Sequence, residues 1–566
     1  MSYIDWIAML GFIAFVVIYG IVKTRHTKDV DSYIRAGRST PWWTIALSIM
    51  ATQASAITFL STPGQAYVDG MRFVQFYIGL PIAMIILSIT AVPVYNKLNV
   101  YTAYEYLEKR FDLKNRTLGS VLFLSQRGLA AGFTIYAPAL ILSVILGWRL
   151  DITILIIGFA VILYTTVGGT IAVNKTHIFQ MIIITVGMFS AFFMIYILLP
   201  KDISIIDAAH VAGKLGKLNA IDFTFDLSDR YTFWSGIIGG TFLMLSYFGT
   251  DQSQVQRYLA GSSIKESRLG LLVNGLVKVP MQFIILFIGA MVFVFYQFVT
   301  PPLFFNPVEE QNVKSSVYSE QYHDLENQYK NLNEEKQDKI RQMLGAIHEG
   351  NSKEIKKETD EVLNKQQEAS LVRGKAIDLI KEANPDADTS DTNYIFISYI
   401  VNFLPVGLIG LVLAAILSAS MSSTSAELNA LASTTVIDIY KRMIKKDGTD
   451  EQYLRASKIS TVLWGMYAVT FALFASQLGS LVEAVNILGS LVYGTILGIF
   501  LVAFYFKKVY GDATFVSAII AELVVLYCYF FTTIPFLWFN VIGCVLVVGI
   551  SLTLNPVFRE KDKLSL

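Results

Sequence analysis

The sequence predicts an all-α polytopic membrane protein of about thirteen spans, with its N-terminus outside the cell and its C-terminus inside. Three observations carry this reading. Of 566 residues, 54% are hydrophobic and only 16% charged, and mean hydropathy is +0.52. The apolar residues fall in runs of about 20, the length at which a helix crosses a hydrocarbon core of roughly 30 Å. The charges collect between the runs, with lysine and arginine concentrated in alternate loops. A segment in lipid must satisfy its own backbone hydrogen bonds, so each run is read as helix.

In chain order the spans are placed at 3–22, 42–62, 73–95, 119–147, 152–168, 174–199, 232–250, 270–299, 395–437, 457–476, 480–506, 512–531 and 535–554. The first lacks a basic leader region and a small-residue cleavage site and has Asp5 at its start, so it is read as a retained span. The ninth is too long for one crossing; its ends protrude or an external half-helix precedes it. Cys528 and Cys544 lie in late apolar runs and are read as packed or lipid-facing small residues, not as a disulfide or metal pair. The apolar runs make the lipid bilayer the bulk partner, and a net charge of +1 gives no indication of nucleic acid. The sequence sets no oligomeric state.

Orientation follows from the short loops. Loop 23–41 carries Lys23, Arg25, Lys28, Arg35 and Arg38; loop 96–118 carries Lys97, Lys109, Arg110, Lys114 and Arg116. Loops 251–269 and 438–456 are also basic, and Lys507 and Lys508 follow the eleventh span. All fall on one side, which is therefore cytoplasmic. The acidic loop 200–231 and the segment 303–391 fall on the other. From Glu309 to Asp391 there are 19 acidic and 12 basic residues. Stretches 315–348 and 353–383 have helical spacing of Leu, Ile, Val and Met, split by Gly350-Asn351-Ser352 and ended by Asn384-Pro385. This predicts an extracytoplasmic helical hairpin, serving as a solvated loop extension or as a lid or docking element.

Polar clusters inside spans are costly in lipid unless they line a cavity or bind something. Three interrupt this chain: Ser48–Thr58 in the second span, which then stops at Pro63-Gly64, Leu245–Gln254 in the seventh and Ser418–Ser425 in the ninth. Small and hydroxyl residues also let helices pack closely, and that reading stays open for each. The first two clusters sit five spans apart. Setting 42–199 against 232–506 gives two five-helix units of opposite topology, the arrangement in which a solute binds between discontinuous helices. On this division 1–41 is an extra span with a cytoplasmic loop, and 507–566 holds two extra spans and a short cytoplasmic tail. The hydroxyl-rich ninth span suits a hard monovalent cation, which takes oxygen ligands. No span holds a His/Asp/Glu cluster with catalytic spacing, so an enzyme is not expected, and no organic cofactor is implied.

Asp31-Ser32-Tyr33-Ile34-Arg35-Ala36-Gly37-Arg38-Ser39-Thr40-Pro41-Trp42-Trp43 and Tyr104-Glu105-Tyr106-Leu107-Glu108-Lys109-Arg110-Phe111 resemble two motifs of the solute:sodium symporter family. The resemblance continues through Tyr136–Leu140, Val167-Gly168-Gly169, Gln254–Leu259 and Asp438–Lys441. It covers about 42–300 and 392–510, with 303–391 outside it. It implies a LeuT-like five-plus-five inverted repeat, alternating access, and a cell-membrane protein, read here as bacterial inner membrane. Carried over by position, the sodium ligands are the carbonyls of Ala51, Ala54 and Ala419 and the hydroxyls of Ser422 and Ser423.

Departures from the family pattern matter too. His177 stands where members with a second sodium carry an aspartate, and Ala426 replaces a hydroxyl, so one coupled sodium is expected. His177 itself is a packing histidine or a proton relay. The sugar-binding pattern is mostly absent: Thr58, Tyr77 and Met244 replace its polar residues, while Lys278, Asn486 and Tyr247 have counterparts. The expected solute contacts are Gln53, Thr58, Tyr77, Arg127, Tyr247, Lys278 and Asn486. Arg127, two turns inside its span, either clamps a substrate carboxylate or snorkels or pairs with a neighbour. The solute is of monocarboxylate, vitamin, sugar or sialic acid type, with the resemblance strongest to the monocarboxylate, multivitamin and iodide branch. The alternative is a membrane sensor on the same fold without net transport.

Overall fold

The computed structural model describes residues 2–24, 33–34, 38–226, 228–474 and 480–564; at 21, 23, 24, 164, 168–175 and 559–564 it describes the backbone only. Arg25, Lys28 and Arg35 of the first basic loop, and residues 31, 32 and 35–37 of the opening motif, lie outside that set. So does the side chain of Lys23.

Helix α1 (Tyr3–Thr24) packs against two long helices of the bundle. Its Asp5 carboxylate accepts hydrogen bonds from the backbone N–H groups of Gly407 (2.7 Å) and Gly410 (3.0 Å). Free N–H groups and the positive end of the helix dipole make a helix N-terminus a natural seat for that carboxylate. The expected second span is broken: α2 (Trp42–Gln53) stops, Ala54 and Ser55 leave helical geometry, and α3 (Ala56–Asp69) resumes. Pro63-Gly64, expected to end this span, lies inside α3. The pair serves close packing instead, since a Cβ on Gly64 would lie 2.0 Å from the Thr392 carbonyl oxygen.

A 3-10 stretch, Gly70–Tyr77, leads into α4 (Gly79–Ile89) and α5 (Ala91–Leu98); α6 (Tyr104–Arg110) and α7 (Leu113–Leu146) follow. Spans 152–168 and 174–199 were expected to be separate, but the backbone is helical throughout α8 (Leu150–Leu198). At about 1.5 Å per residue, a straight helix of 49 residues would far exceed one bilayer crossing. Two windows within it, Leu150–Val167 and Thr176–Leu198, are each long and apolar enough to span.

After α9 (Ile205–Lys214), the seventh span begins as a π-helical turn, Ser235–Gly239, and continues as α10 (Gly240–Gly249). It breaks at Thr250 and Asp251 before α11 (Gln252–Leu259). The freed carbonyls are satisfied by tyrosines: Tyr95 and Tyr104 hydroxyls donate to Gly249 and Thr250, each at 2.8 Å. Helix α12 (Ile264–Phe298) then packs along α2, α3 and α4.

The insert folds as α13 (Pro307–Lys314), α14 (Ser319–Glu349) and α15 (Ser352–Ala383). Gly350 closes α14 at φ 71°, a left-handed conformation glycine adopts without strain, and the Asn351 side chain caps α15 by accepting from Glu354 N–H. The expected half-helix is α16 (Thr392–Phe403), ahead of α17 (Leu408–Thr434), which ends in a π-helical segment, Thr435–Ile444. Helices α18 (Asp450–Ala472), α19 (Leu481–Tyr505), α20 (Gly511–Phe531) and α21 (Phe536–Leu564) complete the bundle, with Cys528 and Cys544 buried and unpaired. Among the described residues, ten helices are long and apolar enough to cross a membrane. The seventh (Ser235–Gly249) falls below that length and α2 is not among them, while α3 is counted within the stretch Ala56–Leu98.

Candidate functional site

Helix α2 ends at Gln53, and α17 packs against it. Six hydroxyl residues fall within eight positions of α17, from Ser418 to Ser425, and all are buried. Ser422 Oγ donates to the Ala51 carbonyl across the break at 3.3 Å. Ser423 Oγ donates back to the Ala419 carbonyl at 3.1 Å. Thus four of the five oxygens expected around sodium are already knitted together in pairs. A cation entering there would turn the two hydroxyl lone pairs inward and replace these hydrogen bonds, with no fixed charge to hold it. Ala54, the fifth residue, forms the cap of α2, its N–H bonded to the Met50 carbonyl at 2.7 Å. His177 packs beside this nest with Nδ1 3.0 Å from Ser48 Oγ.

Next to the break lies a cavity of about 90 Å³, lined from α2, α3, α7, α10, α17 and α19. Gln53, Thr58, Tyr77, Arg127, Tyr247 and Asn486 all face it. Gln53 Oε1 has no hydrogen-bond partner among the described residues, so an amide acceptor is available to a solute. Lys278 does not face the cavity. It sits on α12 behind the broken helix, fully buried, its Nζ without a hydrogen-bond partner among the described residues.

Arg127 neither snorkels nor presents a free fork. Its Nε and Nη2 both donate to the Asp251 carboxylate, Nη2 also to the Tyr493 hydroxyl, and Nη1 to Glu427 Oε1 at 3.0 Å. Tyr493 in turn donates to Asp251 at 2.8 Å, and the guanidinium lies 5.4 Å from the Tyr247 ring centroid. Asp251 is held for this task as the cap of α11, its other oxygen accepting from Ser253 N–H and hydroxyl. Of the two roles open to Arg127, pairing with neighbours is the one seen.

Contacts close the bundle on both sides of the cavity. At the end bearing the insert, Ser61 and Gln65 of α3 meet Ser480, at 3.3 and 2.9 Å. At the far end, Arg116 bridges Glu108 and Asp438, Glu108 also holds Arg442, and Thr102 donates to Asp438 at 2.7 Å.

Glu427, Asp251, Tyr493 and Thr134 were not singled out from sequence. Glu427 should have been: a carboxylate in the middle of a membrane-length apolar helix is costly wherever it is not functional or paired. The interest of Asp251 and Tyr493 arises only from their meeting with Arg127, 124 and 366 residues away in sequence.

A model of the sodium:solute symporter family matches residues 33–317 and 376–521, leaving out most of the hairpin. A sodium/sialic acid symporter of Aliivibrio fischeri is 25% identical over 98% of this chain and 94% of its own length; that of Proteus mirabilis is 25% identical over 100% and 97%. The human sodium-coupled monocarboxylate transporter 1 is 34% identical, over 48% of this chain and 44% of its own. A solved Na+-coupled sialic acid symporter in a substrate-bound, outward-open state shares the fold. It has a TM-score of 0.76 and 24% identity, with 98% of each chain covered.

Proposed function

The chain belongs to the sodium:solute symporter family, and from that premise we propose that it imports a small organic solute by alternating access around the cavity beside the α2–α3 break. It is a multi-pass membrane protein that couples solute movement to sodium. In the proposed cycle a sodium ion enters the nest of Ala51, Ala54, Ala419, Ser422 and Ser423. The solute meets Gln53, Thr58, Tyr77, Tyr247 and Asn486. The contacts at Ser480 and at Asp438 then open in turn.

The observation that carries this is the Ser422–Ala51 hydrogen bond, which joins the unwound helix to the serine-lined one at the place a cation would occupy. An ion there draws α2 and α17 together, so its arrival and departure act on both closing contacts. Two breaks, at Ala54–Ser55 and at Thr250–Asp251, support setting 42–199 against 232–506 as inverted repeats. The basic far end, with the acidic 200–231 and 303–391 segments opposite, supports a cytoplasmic far end, an external N-terminus and an internal C-terminus. The insert then stands outside, over the Ser480 contact.

The relatives include carriers of sialic acid and of monocarboxylates. The geometry favours a solute that does not need a free guanidinium, because Asp251 already takes the forked edge of Arg127. Family and relatives are transporters, which leaves the sensor reading without support.

The test is uptake into proteoliposomes from a pool of labelled sialic acid, pyruvate and galactose, with an inward sodium gradient or with choline. Sodium-driven accumulation is expected for one class; uptake of every solute indifferent to sodium would overturn the coupling. Ser423→Ala should raise the sodium concentration for half-maximal transport about tenfold, roughly 1.4 kcal/mol of lost binding. An unchanged value would remove Ser423 from the site.

A further inference from the structure

We propose that a small monovalent anion latches the α14–α15 hairpin to the transport bundle, held between Lys336 and Arg373 in a cavity shared with α3 and α12. This goes beyond the transport reading: the site lies apart from the solute cavity, and its test reads binding, not uptake.

The first ground is the cavity. It is largely enclosed, with about 50 Å³ of room. Its walls include Tyr67 of α3, Gln297 of α12, Tyr329 and Lys336 of α14, and Gln366 and Arg373 of α15. A water needs roughly 10–15 Å³ of such room, so a chloride-sized anion fits with a water beside it.

The second ground is charge. Lys336 is 2% exposed and spends one of its three N–H bonds, on Gln366 Oε1 at 2.9 Å. The glutamates around it are taken by other lysines: Lys339 holds Glu358 and Glu361, and Lys365 holds Glu335 and Glu368. Arg373 is neutralised by Asp391, whose two oxygens both accept from Nη2. The wall therefore carries one positive charge in excess, and a buried cation without an anion is costly.

The third ground is polar atoms left unspent. Arg373 Nε is buried and has no hydrogen-bond partner among the described residues. Gln297, 2% exposed, donates from Nε2 to the Phe293 carbonyl at 3.0 Å, and its Oε1 is likewise without a partner. Lys336 and Arg373 supply charged donors to an anion, and the hydroxyls of Tyr67 and Tyr329 supply neutral ones. A water giving one proton to the anion and one to Gln297 Oε1 satisfies the amide. A halide and a carboxylate both suit this set, so the source is chloride from the medium or the carboxylate of a passing solute. Tyr67 lies two residues beyond Gln65, which holds the Ser480 contact at 2.9 Å. An occupied site thus ties the hairpin to the part of α3 that closes this end of the bundle.

Hydrogen exchange of the purified full-length protein at pH 7 tests this, in sodium chloride, acetate or gluconate at equal sodium and ionic strength. Gluconate is too bulky for the cavity. Exchange across 319–383 should slow about tenfold once chloride reaches roughly ten times its Kd. Slowing by chloride alone makes the halide the ligand; slowing by acetate as well makes it a carboxylate seat. Lys336→Met should exchange alike in all three salts, and no faster than the wild type in gluconate, which shows that it is folded. Tyr67→Phe, which leaves the hairpin sequence intact, should need more chloride for the same protection. Equal exchange of the wild type in the three salts means that the cavity holds water only and overturns the site. A chloride effect undiminished in Lys336→Met overturns it too, as a general effect of salt. Neither result touches sodium coupling, which Ser423→Ala tests separately.

Discussion

The transport bundle and the α14–α15 hairpin are built from the same helices turned inside out. In the bundle the buried positions include the serine-rich face of α17, Arg127 and Lys278, while Ile7, Leu276 and Phe193 stand 73%, 73% and 61% exposed. In the hairpin Tyr322, Leu325, Val372 and Ile380 are buried. Its charges ring the outside in pairs such as Lys365–Glu335 (2.8 Å) and Lys357–Glu354 (3.1 Å). The bundle meets lipid, which rewards apolar surface and leaves polar groups to find partners inside. The hairpin meets water, which does the reverse. A charge therefore has a different worth in each region, and that difference can be measured.

The largest effect is expected at Arg127. Arg127→Met leaves Asp251 and Glu427 buried without their cation, and breaking a buried pair from one side costs about 3–5 kcal/mol. Thermal unfolding of the purified protein should show a large loss of stability, and a loss within error would mean that water reaches the network. The hairpin offers an intermediate case in Lys336, which is buried and donates to Gln366 Oε1 at 2.9 Å. Burial lowers its ammonium to about 8, against about 10.4 for a free lysine. Between those values the unfolded chain binds more protons than the folded one. Hairpin stability therefore rises as pH climbs from about 8 toward 10.4, and below about 8 the cost of the buried charge is present in full. Lys336→Met should increase amide protection across 319–383 by on the order of 1–3 kcal/mol at pH 7 and by less at pH 10; equal gains at both would detach the effect from charge. The smallest effect belongs to Lys365→Met at the exposed Glu335 and Glu368 pairs, about 0–1 kcal/mol by the same protection measurement. A cost near that of Arg127→Met would erase the contrast between the regions.

Local chemistry was legible. The hairpin was readable to within a few residues because Gly350, Asn351 and Asn384-Pro385 act through their own backbones, whatever surrounds them. The break at Ala54–Ser55 was foreshadowed by the polar run 48–58, and Ser422 by its place in a hydroxyl cluster that lipid would not tolerate unpartnered. Pro63-Gly64 misled, because its role depends on the Thr392 backbone that passes against it. Lys278 misled for the same kind of reason: a position carried over from a family pattern does not say which helix stands between a side chain and the cavity. Glu427 needed no neighbour to be noticed, only attention to a lone carboxylate in an apolar run.

What the sequence determined by itself was the medium and the local punctuation: lipid for the bundle, water for the hairpin, and the positions at which helices must stop. Those depend on composition and on backbone chemistry within a turn or two. Only the tertiary structure decided which charges meet. Arg127, Asp251 and Glu427 come from three helices far apart in the chain, and their pairing depends on crossing and rotation that no local pattern encodes. In a low-dielectric interior such meetings settle whether a charge is a clamp for solute or a strut.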